Sequence, residues 1–529
     1  MLKRILLPAI SCLILAAFAI SLPAQNVGQK TSSVALEERI RRVENNLPPI
    51  PLGTGQPPLQ FTLQQLMQTL KVPGISVAVV DNFKIDWAKP YGVTEVGASI
   101  AVTTDTLFQA ASISKAVTAS GALYLVEHGK LSLDEDVNKE LTTWKVPENE
   151  FTTTQKVTLR RLMSHTAGTT VHGFPGYAVG EPLPTLVQIL NGERPANTAP
   201  VRVDVVPGTK SRYSGGGVII EQLMIMDVTG KPFPQFMQQT VLAPIGMSHS
   251  TFDQPLPPAL AAHAAAGHLA DGSPVPGKWH IYPEMAAAGL WTTPTDLAKY
   301  VIEIALSKNG KSNRVLSETM ARQMLTPQIA GANMGSMDDV GLGFFLGTGE
   351  NPNEFDHGGS NAGYRCIAMM FSDTGQGLAI MTNSDSGQTV ALYLIESIAK
   401  EYGWKYTPPK HSASEVLSLV QAMRGTQAAV QEYKYLSKAT PPLYGVSEDT
   451  LNQLGYGLLS SGKTEDAIQV FKLNVEEYPK SSNPYDSLGE AYMKAGKKEL
   501  AIENYTKSVE LDPKNQNGIE MLKKLREQK

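Results

Sequence analysis

Residues 109 to 121 read "QAASISKAVTASG", with Ser112 three positions before Lys115. The same spacing recurs at Ser397 with Lys400 and at Ser460 with Lys463, so spacing alone selects nothing. Context separates the three. Before Ser112 lies the short strand-like run "TLFQAA"; after Lys115 comes "AVTASGALYLVEHG", apolar nearly all round as far as Glu127 and ended by Gly129. That is the pattern of a buried helix with a glycine terminator. Ser112 then sits at the first turn, where free N–H groups and the helix dipole favour developing negative charge. Lys115 falls on the same helix face one turn on. Burial there lowers a lysine's pKa, and a neutral lysine can take a serine's proton. The competing reading is a serine cap followed by a lysine whose stem lies on the surface and whose head reaches water. Of the other pairs, Ser460 and Lys463 bracket Gly462 in a turn, and Ser397 and Lys400 are expected on the polar face of "TVALYLIESIAKEYG".

The 529 residues are 42% hydrophobic and 18% charged, with a formal net charge of -4. This length is too great for one core and implies roughly two to four domains. Charges of both signs are dispersed, so no basic patch marks a nucleic-acid partner. Lys3 and Arg4 precede an apolar run from Ile5 to Leu22 that ends in "SLPAQ", which reads as a signal peptide cut after Ala24. The expectation is an exported protein, periplasmic or secreted, with no membrane span after cleavage; retention of the run as an anchor is the alternative. Cleavage would leave Cys366 as the sole cysteine, so no disulfide is available. Cys366 lies in "YRCIAMMF", where a buried inert thiol is expected.

Residues 25–58 read as a helix ("VALEERIRRVENNL") and a proline-rich linker, and residues 59–407 as the main domain. There, "GISVAVVDNFKIDWAKPYG" predicts a hairpin, helical segments fill the middle, and strand signals return at "VGLGFFLG", "CIAMMFS" and "GLAIMTN". Strands at both ends with helices between predict an α+β fold, an antiparallel sheet flanked by helices plus a helical cluster. From 408 to 529 the pattern is all-α. Leu454-Gly455 against Leu488-Gly489, Gly462 against Gly496, Ala467 against Ala501, and Phe471 against Tyr505 all lie 34 residues apart. That period resembles the tetratricopeptide repeat, over 448–481 and 482–515, with an upstream helix pair and a capping helix; it implies a protein partner.

The main domain resembles the serine β-lactamase and penicillin-binding-protein superfamily, in particular its class C-like branch of DD-peptidases, D-aminopeptidases and esterases. The resemblance spans roughly residues 60 to 405. It rests on Ser112-Ile113-Ser114-Lys115, "LRRLMSHTAG", "VPGTKSRYSGGG", "LAPIGMSHSTF", "AAAGLWTTPTDLAKY" and "HGGSNAGY", in that order. It implies Ser112 as acyl-accepting nucleophile and Lys115 as its partner in proton transfer. It implies Tyr213 as a phenolate-like base or a relay to the leaving group. His357, Gly358 and Gly359 would edge the site where substrate binds, and the backbone N–H groups of Ser112 and Ser360 would form the oxyanion hole. Two positions depart from the family pattern. Gly215 stands where the family has the asparagine that holds a substrate amide, and His357 stands for a lysine that clamps a carboxylate. These departures point to an ester, or a differently presented amide or peptide, as substrate.

No cofactor or metal is implied. His263 and His268 in "LAAHAAAGHLADG" lack the His-Glu-x-x-His pattern of a zinc hydrolase and read as a loop, and His165 reads as a turn-fixing hydrogen bonder. "GGSNAG" fails the Gly-x-Ser-x-Gly frame at Ala362. The remaining alternatives are a true β-lactamase or DD-carboxypeptidase, and a catalytically weak lactamase-like scaffold acting through its repeats.

Overall fold

A computed structural model describes residues 25–53, 56–329, 339–349 and 351–527. The expected signal segment, 1–24, lies outside the described residues. The sheet begins with a hairpin, β1 (Gly74–Asp81) and β2 (Lys84–Gly92). Its turn residues Asn82 and Phe83 both have positive φ (50° and 59°), as a two-residue turn matched to strand twist requires. Four short strands follow, β3 (Phe108–Gln109), β4 (Tyr177–Ala178), β5 (His280–Ile281) and β6 (Trp291–Thr292), and form two small ribbons, β3 with β6 and β4 with β5. The chain then returns through β7 (Asp339–Val340), β8 (Phe345–Leu346), β9 (Glu354–Asn361), β10 (Tyr364–Phe371) and β11 (Gln376–Thr382). The resulting antiparallel sheet has the order β2-β1-β11-β10-β9-β8-β7. The fold is thus the α+β arrangement expected, with "VGLGFFLG" split into two short strands by a turn.

Period-two alternation divides the sheet between two cores. Ile75, Val77, Val79, Leu378 and Ile380 face one apolar cluster, and Ala78, Val80, Ala379, Met381 and Ala368 face the other. On the second face Ala88, Ala78, Ala379 and Ala368 are cross-strand neighbours in one row, and the next residue in that row is His357. Small residues along the row leave room for the helix Pro294–Lys308, and the row delivers His357 to the end where the sheet meets the helix Ile113–Glu127.

The first face is covered by the helices Gln25–Asn45, Leu63–Thr69 and Gly387–Tyr402, and its cluster runs on into the C-terminal helices. Those helices form a tetratricopeptide-type region. Phe471 sits against Gly455, and Tyr505 repeats the contact at Gly489, 34 residues later, with Ala467 and Ala501 fully buried between paired helices. The pair Ala413–Arg424 and Thr426–Leu436 precedes the repeats, and Gln516–Glu527 caps them.

Two expectations need correction. The proline-rich stretch is not a loose linker. Ile50 and Leu59 exchange backbone hydrogen bonds (2.9 Å each) and are buried, Gly53 N donates to Glu432 Oε1 (2.5 Å), and Tyr444 Oη donates to the Pro51 carbonyl (2.9 Å). It is strapped to the helix Thr426–Leu436 and to the segment that leads from it into the repeats. Ser397 is not on a polar face either: it is 4% exposed, and its hydroxyl donates to the Val43 carbonyl (2.9 Å), tying its helix to the N-terminal one. Ser460 and Lys463 are exposed, as a turn requires. Among the described residues no helix is long and apolar enough to cross a membrane.

Candidate active site

Ser112 stands at the sharp start of the helix Ile113–Glu127. The residue before it, Ala111, has φ 49°, a left-handed conformation that costs an alanine free energy and persists only where the surroundings enforce it. They do so here. Ala110 N donates to the Leu290 carbonyl (2.8 Å), Leu290 N donates to Ser114 Oγ (3.0 Å), and Thr118 Oγ1 donates to the Ala286 carbonyl (3.3 Å). The segment Ala286–Leu290 is thereby clamped along the helix. Its Ala287 carbonyl accepts from Lys115 Nζ (2.7 Å), which also lies 3.0 Å from Ser112 Oγ.

Lys115 is 4% exposed, and burial lowers its pKa to about 7. Half of it is therefore a free amine near neutrality, within reach of the serine's proton. The surface-lysine alternative does not describe this side chain.

Tyr213 completes the contact. Its hydroxyl is near enough to Ser112 to feel it, and Lys115 Nζ lies 5.1 Å from its ring centroid. Burial raises the Tyr213 pKa well above the ordinary value. The phenol therefore keeps its proton at neutral pH, which favours the relay role over the phenolate base.

Two buried histidines nearby, His165 and His357, are held neutral. His165 Nδ1 accepts from Ser214 N (3.3 Å), in a turn where His165 itself has φ 58°, and burial first, then Lys115, keeps its pKa well below the usual value. For His357, burial and then Lys115 lower the pKa to about 3. Its Nδ1 is 2.7 Å from the Gly358 carbonyl, which can only accept, so Nδ1 carries the hydrogen and Nε2 is left as an acceptor.

The strand β9 supplies the other wall. A two-residue turn joins it to β10, so Asn361 and Tyr364 form the hydrogen-bonded pair that closes the hairpin. Alternation along the antiparallel ladder then turns the N–H groups of Gly358 and Ser360 away from β10, and β8 extends only as far as Asp356. The Ser360 N–H is thus on an open edge. Gly359 is where β9 touches the strand leading to Ser112: a Cβ there would lie 2.2 Å from the Ala110 carbonyl oxygen, so no other residue fits. Asn361 Nδ2 fixes the register by donating to Gln109 Oε1 (2.7 Å). Cys366 beneath is buried, its thiol pKa raised by burial, and its Sγ–H donates to the Ala110 carbonyl (3.0 Å).

The fold thus gathers Ser112, Lys115, Tyr213, His357 and the edge of β9, residues drawn from across 250 positions of sequence. Gly215 starts the helix Gly215–Thr229, two residues beyond Tyr213. The sequence did not single out His172, Phe174 or Phe345, whose rings crowd the same place; His172 and Phe174 belong to the loop "VHGFPGYAVGEPLP". Among the described residues there is no group of three His, Cys, Asp or Glu able to hold a metal. His268 is instead buried, with Nε2 accepting from Val96 N (3.1 Å).

The family model for beta-lactamase matches residues 59–402. The chain belongs to the beta-lactamase family. A tetratricopeptide-repeat model matches residues 483–515. Relatives include a beta-lactamase from Pseudomonas fluorescens, 29% identical over 45% of this chain and 62% of that protein. Penicillin-binding protein 4 of Amycolatopsis lactamdurans is 28% identical over 59% of this chain and 81% of its own. The chain thus spans about three fifths of the first of these relatives. In fold, this beta-lactamase-family chain is similar to the octameric penicillin-binding protein homologue from Pyrococcus abyssi (TM-score 0.53, 22% identity, 68% of this chain and 80% of that one).

Proposed function

We propose that this serine hydrolase cleaves uncharged carboxylic esters through an acyl-enzyme on Ser112. The observation that carries the reading is the buried amine of Lys115, half of it unprotonated near pH 7 and 3.0 Å from Ser112 Oγ. Lys115 takes the Ser112 proton as Oγ attacks the ester carbonyl. The oxyanion accepts from the Ser112 and Ser360 N–H groups. Tyr213, still protonated, hands its proton to the departing alkoxide oxygen and is resupplied with the proton held on Lys115. Water then attacks the acyl-enzyme with Lys115 again as base, and Ser112 is released with the carboxylic acid.

The choice of ester over the substrates suggested by the relatives' names follows from charge. A β-lactam or a D-alanine-terminated peptide presents a carboxylate, and His357 with a pKa of about 3 offers it no cation. Export would place the activity outside the cytoplasm, and the repeats offer a surface to a protein partner. The test is hydrolysis of p-nitrophenyl acetate by the parent and by Ser112→Ala. Turnover lost in a variant with unchanged circular dichroism supports the reading; equal rates refute it.

A further inference from the structure

Beside Tyr213 the site wall is aromatic, and its geometry selects what the acyl group can be. Ser214, between Tyr213 and Gly215, has extended backbone (φ -144°, ψ 112°). In extended chain, residues two apart project to the same side. The Cβ direction of Gly215 therefore lies on the side of the Tyr213 ring, the side that meets Lys115 and Ser112. That direction is already filled. A Cβ at 215 would come 2.9 Å from Cε2 and 3.4 Å from Cδ2 of Phe174, and 3.2 Å from the His172 carbonyl oxygen. Phe174 stands in the room that a side chain at 215 would need, and glycine is what lets it stand there.

The ring is held in place. Gly215 N donates to the His172 carbonyl (3.0 Å), Gly216 N to the Val171 carbonyl (3.0 Å), and Ser214 Oγ to the Thr170 carbonyl (2.7 Å). Phe174 and Phe345 are both only half-buried, so neither is sealed in the core. Phe345 stacks on Tyr213 at 6.3 Å between centroids and lies 5.1 Å from His357, while the exposed His172 ring lies 5.0 Å from Tyr213. Half-buried rings at such spacings accept a further ring in offset or edge contact.

We propose that Phe174 is the specificity-determining wall of an acyl pocket, and that the preferred substrate carries an uncharged acyl group ending in an aromatic ring, packed against Phe174 and Phe345. This rests on the ester-hydrolase reading. The test compares kcat/KM for p-nitrophenyl phenylacetate and p-nitrophenyl acetate. The parent prefers phenylacetate by about tenfold or more, the scale of a filled apolar pocket. Phe174→Ala loses that preference by slowing phenylacetate about tenfold more than it slows acetate, and Phe174→Leu, which keeps bulk without the ring, falls between. A parent without preference, an unchanged ratio in Phe174→Ala, or equal loss on both esters overturns the proposal. Acetate and phenylacetate hydrolysis surviving in Ser112→Ala refutes the hydrolase reading itself, whereas a dead Ser112→Ala with an unchanged ratio in Phe174→Ala refutes only the wall.

Discussion

Replacing Lys115 by methionine should make the protein more stable at low pH and nearly inactive at every pH. Burial moves the Lys115 pKa from 10.5 to about 7, a displacement worth about 5 kcal/mol at 1.36 kcal/mol per unit. Below pH 7 the lysine is charged in both the folded and the unfolded chain, and the folded state carries the whole cost. Between about 7 and 10.5 the unfolded chain binds the extra proton, so the parent's stability rises with pH and the cost is relieved. Methionine keeps the stem's volume and removes the charge, but leaves the Ala287 carbonyl without its donor, a loss of roughly 1–3 kcal/mol. Lys115→Met is therefore expected to exceed the parent by roughly 2–4 kcal/mol at pH 6, an advantage that shrinks by about 3 kcal/mol by pH 9. Urea unfolding of both proteins at pH 6, 7.5 and 9 measures this, and taking the difference cancels the titrating groups that do not feel the Lys115 charge, which His165 and His357 do. Activity moves the other way: the variant loses about 10²–10⁴-fold in kcat/KM, and the parent's kcat/KM rises with pH through an inflection near 7. A stability difference independent of pH, or a parent profile flat through neutrality, would refute the argument that a desolvated lysine is the base.

Two further outcomes follow from other parts of the molecule. Nitrocefin should turn over slowly or not at all, because His357 is uncharged and Gly215 offers no amide to the substrate; hydrolysis faster than that of the preferred ester would contradict the assignment. Ending the chain at Pro408 should lower the melting temperature by several degrees, since Ala413, Val416, Leu417 and Tyr433 share one apolar cluster with the sheet's outer face and Glu432 holds Gly53 N. Its kcat per folded molecule should stay the same, as every side chain placed in the site precedes Pro408; a melting temperature equal to the parent's would show the repeats to be an independent body.

The helix after Ser112 was legible because it is apolar all round, and the repeats because an identical period places Phe471 and Tyr505 on equivalent glycines. The sheet was legible from its alternation and its hairpin turn, and the order of motifs pointed to Ser112, Lys115, Tyr213 and β9. What sequence could not carry was contact between distant backbones. Ala111 gives no sign of a positive φ, since alanine is an ordinary residue there and only the bonds to Leu290 and Ser114 enforce the turn. Ser397 follows helical periodicity onto what looks like a polar face, yet that face is covered by the N-terminal helix, whose Val43 carbonyl takes its hydroxyl. The stretch from Pro48 to Pro58 has the composition of a linker, yet Ile50, Leu52 and Gly53 are buried and the backbone at Pro51 and Gly53 is held by Tyr444 and Glu432, some 380 residues away. Gly215 read as the loss of a polar group; in three dimensions it is the space that admits Phe174.

The central claim is that Ser112 Oγ becomes acylated. Intact-protein mass spectrometry after brief exposure of the parent to p-nitrophenyl phenylacetate at pH 8, quenched in acid, should show one added phenylacetyl group. Peptide mapping should place it on Ser112, with none formed by Ser112→Ala. An adduct on another residue, or turnover with no dependence on Ser112, would contradict the account.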